Sequence, residues 1–122
     1  LMKDPTRGGI ATALNEIAEN KGTSIHLYED FIPISPEVKA LNELLGLDPM
    51  YLACEGRLLL VVKDEKAEEM LSIIRQCPGC EYAEVIGRVE KPTLSPLVYI
   101  ETSIGGMRIV DSLDGDMLPR IC

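Results

Sequence analysis

The sequence has no tryptophan, a single phenylalanine, four tyrosines and one histidine among its 122 residues. Any core must therefore be built from Leu, Ile, Val, Ala and Met. No apolar run approaches the roughly 18 residues that a membrane-spanning helix requires, and no signal-peptide pattern is visible. Basic residues are in the minority, 12 Lys and Arg against 20 Asp and Glu, for a formal net charge of −8. That balance argues against a nucleic-acid surface, which needs clustered Lys and Arg, and against an anionic membrane surface. Four cysteines are too few for a disulfide-stapled scaffold, so they read as reduced thiols of a cytoplasmic protein. Internal repeats and low-complexity segments are absent.

What is present is ordinary for a globular domain: 46% hydrophobic and 26% charged residues. A chain of this length forms one domain and buries about 65% of the surface its unfolded form exposes. It opens on Leu1 and runs into a Gly-rich turn almost at once, which reads as a piece of a longer protein.

Apolar residues recur at helical spacing over residues 8–20, with Ile10, Ala13, Leu14, Ile17 and Ala18 on one stripe and Gly22 placed for a left-handed cap. Residues 24–28 alternate as a half-buried strand, with Ile25 and Leu27 on one face and His26 and Tyr28 on the other. Ser35 caps a second helix with Pro36 at its first position, and Val38, Leu41, Leu44 and Leu45 are predicted to face inward until Gly46 stops it. Leu58 to Val62 is a continuous aliphatic run that fits a central strand buried on both faces. Asp64 is expected to cap a third helix through about Arg75, with Ala67, Met70, Leu71 and Ile74 inward. Strands follow near 82–90, 97–102 and 107–110. This order predicts an α/β sandwich with a mixed sheet and helices mainly on one face. The domain occupies 1–115, and 116–122 forms a tail.

Several short runs carry candidate chemistry. Asp4-Pro5-Thr6-Arg7-Gly8-Gly9 opens the first helix. Its glycines expose backbone N–H groups where the helix dipole favours anions. Arg7 can grip a phosphate through two hydrogen bonds, Thr6 offers a hydroxyl, and Asp4 could hold Mg²⁺ beside phosphate oxygens. The same run also reads as a plain capped turn. Glu55, ahead of the aliphatic run, would suit a general base if partly desolvated, whereas most loop glutamates are simply solvated. Cys54 reads as a small buried hydrophobe.

Cys77-Pro78-Gly79-Cys80 is a C-x-x-C that follows a helix rather than opening one, unlike most redox pairs, and no second pair completes a zinc site. It reads as a turn with incidental thiols. His26, on the polar face of its strand, reads as a surface residue. Asp111 to Asp116 lacks the spacing of a calcium loop and reads as a turn. The sequence finishes on Pro119-Arg120-Ile121-Cys122. Pro119 stiffens that stem, and the residues from Asp116 onward could carry the Cys122 sulfur through at most ~23 Å. A frayed end that happens to carry a cysteine is the plainer reading.

Asp4-Pro5-Thr6-Arg7-Gly8-Gly9, the run from Leu45 through Asp48-Pro49-Met50-Tyr51-Leu52-Ala53-Cys54-Glu55-Gly56, and Pro119-Arg120-Ile121-Cys122 together resemble the HypE family of hydrogenase maturation factors. The likeness covers essentially the whole chain. The first run alone also resembles aminoimidazole ribonucleotide synthetase and its relatives. Cys54 departs from the family pattern, which more usually has Asn there, and the Cys77–Cys80 pair is not a family hallmark.

The resemblance implies a C-terminal domain whose N-terminal partner half, outside this sequence, carries much of the ATP site and the main homodimer contact. It implies an ATP- and Mg²⁺-dependent carbamoyl dehydratase. A carbamoyltransferase, HypF, loads a carboxamide on Cys122, the tail swings inward, and dehydration leaves a thiocyanate whose cyanide passes to iron on a HypC–HypD complex. In that scheme Cys122 is the carrier, Glu55 is the candidate base, and Asp4, Thr6, Arg7, Gly8 and Gly9 contact phosphate, with Asp4 also at the metal. Three other readings stay open at this point: a thiol carrier and docking module, a redox or zinc module using the remaining cysteines, and another synthetase or kinase domain of the same superfamily.

Overall fold

The computed structural model describes residues 1–112. The first apolar stripe folds as α1, Gly9–Lys21, burying Ala11, Ala13, Leu14, Ile17 and Ala18. It ends where Gly22 adopts a left-handed conformation (φ 63°, ψ 35°) and its N–H turns back onto the Ala18 and Glu19 carbonyls. A non-glycine residue would pay for that conformation at a place where the chain must reverse into the next strand.

That strand, β2 (Thr23–Tyr28), lies inside a four-stranded mixed sheet. Its partners are β4 (Gly87–Pro92), antiparallel, and β5 (Val98–Glu101), parallel; β6 (Met107–Ile109) extends the sheet beyond β5. The strand order is therefore β4-β2-β5-β6. Ile25 stands opposite Val98 and Leu27 opposite Ile100. Because successive side chains alternate faces, these four fall on one face, and α1 packs on them to form the core together with Val110 and Met50. Asn15 fastens the helix to the end of the sheet, its amide donating to the Ala11 carbonyl at 2.9 Å and the Val110 carbonyl at 2.7 Å. The mixed α/β architecture expected from the element order is what the chain adopts, with a short β1 (Met2–Lys3) added at the start.

Three expectations about packing are corrected. The aliphatic run 58–62 is not a central strand. Only Leu59–Leu60 forms β3, and it pairs antiparallel with β1 in a separate two-stranded ribbon. Leu58 is 58% exposed. Five consecutive aliphatics show that a segment favours burial on both faces, but not which strand will pair with it.

The second helix, α2 (Pro36–Leu45), has the predicted caps: Ser35 accepts from the Val38 N–H at 3.4 Å, and Gly46 is left-handed. Its apolar stripe faces outward, however. Leu41 is 55% and Leu44 83% exposed, whereas the polar Asn42 is buried. Helical spacing identifies residues that share a face and is silent on what covers it.

The third helix is split into a 3-10 turn, Asp64–Lys66, and α3, Ala67–Ile74. Asp64 lies inside the turn and Lys63 precedes it, without a side-chain cap. Leu71 is buried, while Met70 is exposed. The β4 strand also starts later than expected, at Gly87, because Cys77 to Ala83 is taken up by consecutive turns.

Candidate functional site

The loop that opens α1 is held by its own polar groups and by one neighbour. Asp4 accepts from the Thr6 backbone N–H at 2.8 Å and also from the Thr6 hydroxyl, closing an Asx-turn. Pro5 is fully buried beneath it, and its carbonyl accepts the Cys54 N–H at 3.3 Å. Gly8 then takes a left-handed conformation (φ 65°, ψ 15°) as N-cap, and Gly9 follows at φ 66°.

Gly9 is where the first and second sequence runs meet. A Cβ on Gly9 would lie 2.5 Å from the Met50 carbonyl oxygen and 2.7 Å from that of Leu52. Both neighbours are backbone, so neither can move aside as a side chain would.

The opposing segment is a short 3-10 turn, Pro49–Tyr51, placed by Asp48. One Asp48 carboxylate oxygen accepts the Met50 N–H at 2.9 Å, and the other pairs with the Arg108 guanidinium of β6 at 2.9 Å. Met50 is buried in the core. Burial, reinforced by the Asp48 carboxylate, pushes the Tyr51 phenol above its ordinary range, and Arg108 partly offsets this. A connected path thus runs from the sheet edge through Arg108, Asp48 and Met50 to the glycine loop.

Above the loop lies an open cleft of about 330 Å³ lined by Lys3, Asp4, Thr6, Arg7, Ala13 and Glu16. Three of the predicted ligands, Asp4, Thr6 and Arg7, come together there. Gly8 and Gly9 do not line it; Gly9 is buried against the second run. The cleft follows the flank of α1, and Lys3 and Glu16, which sequence reasoning missed, form an ion pair across it. The signal was slight: Lys3 precedes the Asp4 run, and Glu16 stands two helical turns beyond Gly9, on a side of the helix that the apolar stripe leaves polar.

Glu55 is exposed and is not among the cleft residues, although the Cys54 N–H beside it is tied to the first loop. Its neighbours Ala53, Gly56 and Arg57 are exposed as well. Cys54 is half-buried, its thiol directed at the Leu52 carbonyl at 3.2 Å. Cys122 and the tail 116–122 lie outside the described residues.

His26 stays apart from this cleft. It is on the sheet face opposite the core, stacked on Tyr99 with ring centroids 4.7 Å apart and its Nε2 3.4 Å from Glu101. Among the described residues, no group of three or more His, Cys, Asp or Glu side chains is placed to hold a metal ion. Nor is any helix there long and apolar enough to cross a membrane.

The family described as AIR synthase related protein, C-terminal domain, matches residues 1–98. The chain belongs to this family. Within the AIR synthase-related proteins it is similar to carbamoyl dehydratase HypE of Bradyrhizobium diazoefficiens, with 48% identity over 122 residues, all of this chain and 35% of that relative. Two solved structures share its fold. One is the hydrogenase maturation protein HypE in complex with ATP, at TM-score 0.90 and 40% identity over 100% of this chain and 37% of that one. The other is a HypE–HypF complex, at TM-score 0.86 and 40% identity over 93% and 36%. The chain thus spans about a third of the length of the relatives it matches. The likeness to HypE expected from the three sequence runs is borne out, and so is the AIR synthase-related fold.

Proposed function

We propose that this domain is the C-terminal part of a HypE-type carbamoyl dehydratase. In this reading 1–115 forms the folded domain and 116–122 a tail carrying the reacting thiol of Cys122. The observation that carries the reading is the junction of two motifs: the Asp4–Gly9 loop packs through backbone on residues 50–54. The 48% identity with a carbamoyl dehydratase HypE along the whole chain supports it.

The reaction converts Cys122–S–CO–NH₂ and ATP into Cys122–S–C≡N, ADP and phosphate. The C–O bond breaks with the oxygen leaving on phosphate, and both nitrogen protons leave as the nitrile forms. ATP supplies the phosphoryl group that makes the amide oxygen a leaving group, and Mg²⁺ would neutralise its charge. The residues present fit an Mg²⁺-nucleotide. Asp4 is one carboxylate beside Thr6 and Arg7, and Mg²⁺ commonly takes one or two carboxylates and completes its shell with phosphate oxygens and water. A cleft of about 330 Å³ suits the phosphate end of a nucleotide, with the remainder held by the other half of the longer protein.

The chain's own residues have distinct tasks. Arg7 and Thr6 orient anionic oxygens, and the Asx-turn at Asp4 keeps that carboxylate on the cleft. Gly8 and Gly9 let the loop close on residues 50–54. Glu55 is the candidate for taking the nitrogen protons. The carbamoyl donor is HypF, in keeping with the HypE–HypF complex among similar structures. The cyanide acceptor is a HypC–HypD complex, the intact protein is a homodimer, and the compartment is the cytoplasm.

Two substitutions in the intact protein test the assignments. Glu55→Gln should leave carbamoyl loading unchanged and slow conversion to thiocyanate by about a hundredfold or more, the usual loss for a proton-transfer group. Single-turnover conversion of preloaded protein measures this, and an unchanged rate removes Glu55 from the mechanism. Arg7→Ala should raise the ATP concentration needed for half-maximal rate by about tenfold or more, as expected for one lost charge-assisted hydrogen bond, and leave loading intact. Loss of loading instead would assign Arg7 to the surface that meets the carbamoyltransferase.

A further inference from the structure

Cys77-Pro78-Gly79-Cys80 follows α3 and lies outside the candidate cleft. The Cys80 N–H donates to the Cys77 carbonyl at 3.0 Å, and Gly79 sits at φ 85°. With proline second and a positive-φ glycine third, this has the form of a type II turn, whose first and fourth Cα atoms lie within about 7 Å. A disulfide spans Cα separations of about 4.4–6.8 Å, so the turn brings the two Cα atoms near the required separation, and the Cys77 sulfur, directed at the Ile73 carbonyl at 3.9 Å, must rotate from it to close the bond.

The turn is also pinned on both sides. The Cys77 N–H reaches the Ile74 carbonyl at 2.9 Å, and the Ala83 N–H reaches the Cys80 carbonyl at 3.0 Å. The Glu81 carboxylate accepts from its own backbone N–H and from the Gly79 N–H, the latter at 3.0 Å, and these two backbone hydrogen bonds hold its carboxyl below the usual range. Arg75 clamps the segment from outside, donating to the Ala83 carbonyl at 2.9 Å and to Glu84 at 2.7 Å. The two thiols differ in access: both are free, Cys77 is exposed and Cys80 is half-buried. That asymmetry suits an attacking thiol and a resolving one.

We propose that Cys77 and Cys80 form a dithiol–disulfide couple, a redox site separate from the candidate nucleotide cleft, which exchanges two electrons with small disulfides and dithiols. The Cys77 thiolate attacks one sulfur of a small disulfide, forming a mixed disulfide and releasing one thiol. The Cys80 thiolate then attacks the Cys77 sulfur, forming the internal bond and releasing the second. The protein loses two electrons and two protons, and the small disulfide leaves as two thiols. This differs from the incidental thiols expected from sequence, because the turn geometry fixes the spacing that the motif alone leaves open.

Cleavage after Arg75 and Arg88 yields one peptide, 76–88, that holds both cysteines and no others. The intact protein, fully reduced, is exposed to glutathione disulfide, quenched, alkylated, digested and weighed. The expected peptide is unalkylated and two hydrogens lighter than the dithiol. In Cys80→Ser, Cys77 should stop at a lasting glutathione adduct. Gly79→Val should slow closure by about tenfold, because a side chain at positive φ disfavours the turn. A lasting adduct on the native peptide, two alkylated thiols after the exposure that loads Cys80→Ser, or equal closure in Gly79→Val would overturn the proposal.

Discussion

Gly9→Ala is expected to destabilise the domain more than any other single-methyl addition on the loop. Two effects combine. At φ 66° an alanine pays ~1–2 kcal/mol for the left-handed region. Its Cβ would also sit 2.5 Å from the Met50 oxygen and 2.7 Å from the Leu52 oxygen, and overpacking of this kind costs about 1–3 kcal/mol or more. The sum lowers the melting temperature by on the order of 10 °C for a domain of this size.

Gly46→Ala separates the two effects. Gly46 has nearly the same φ, 67°, with nothing within 4 Å of a Cβ, so only the backbone cost applies and the fall should be less than half as large. Thermal unfolding followed by circular dichroism compares them directly. Equal shifts would mean that the loop does not bear on residues 50–52. Gly8→Ala should cost more than Gly46→Ala, because its Cβ would meet Thr12, whose hydroxyl can rotate away but whose own Cβ, 2.7 Å distant, is fixed to the helix backbone.

Cys122→Ala in the intact protein should abolish product while leaving the fold and nucleotide binding in place. In the proposed scheme the Cys122 sulfur is the atom on which the carboxamide travels and the nitrile forms, so no neighbour can replace it. Cys54, Cys77 and Cys80, each changed to Ala, should keep at least half of the activity. Cys54 is engaged with the Leu52 carbonyl, and the other two belong to the turn after α3. Protein-bound thiocyanate on the native protein and none on Cys122→Ala is the expected contrast. Retained product in Cys122→Ala would transfer the chemistry to a different synthetase of the superfamily.

How much of this could be read from the sequence depends on whether the signal was local. The caps at Gly22, Ser35 and Gly46, the inward face of α1 and the alternation of β2 follow from spacing and turn residues, which act within a few positions. Their structural counterparts match. The outward stripe of α2 and the marginal β3 ribbon were not legible in this way, because what an apolar surface packs against depends on distant chain. In the cleft, Asp4, Thr6 and Arg7 were legible as a run of phosphate-suited groups. The Lys3–Glu16 pair, formed across 13 positions, and the Asp48–Arg108 tie were not. Asp48 could have been recognised as the cap of Pro49–Tyr51, since an Asp before Pro commonly accepts a nearby backbone N–H.

The central claim is that this domain presents Cys122 as a carrier whose cargo is dehydrated only with the rest of the protein. Peptide mass spectrometry at Cys122 measures this most directly. The 122-residue chain and the intact protein are incubated side by side with the carbamoyltransferase, carbamoyl phosphate and ATP. The account predicts a carboxamide on Cys122 in both, converted to the species lighter by one water, the thiocyanate, only in the intact protein. An unmodified Cys122 in both would contradict it.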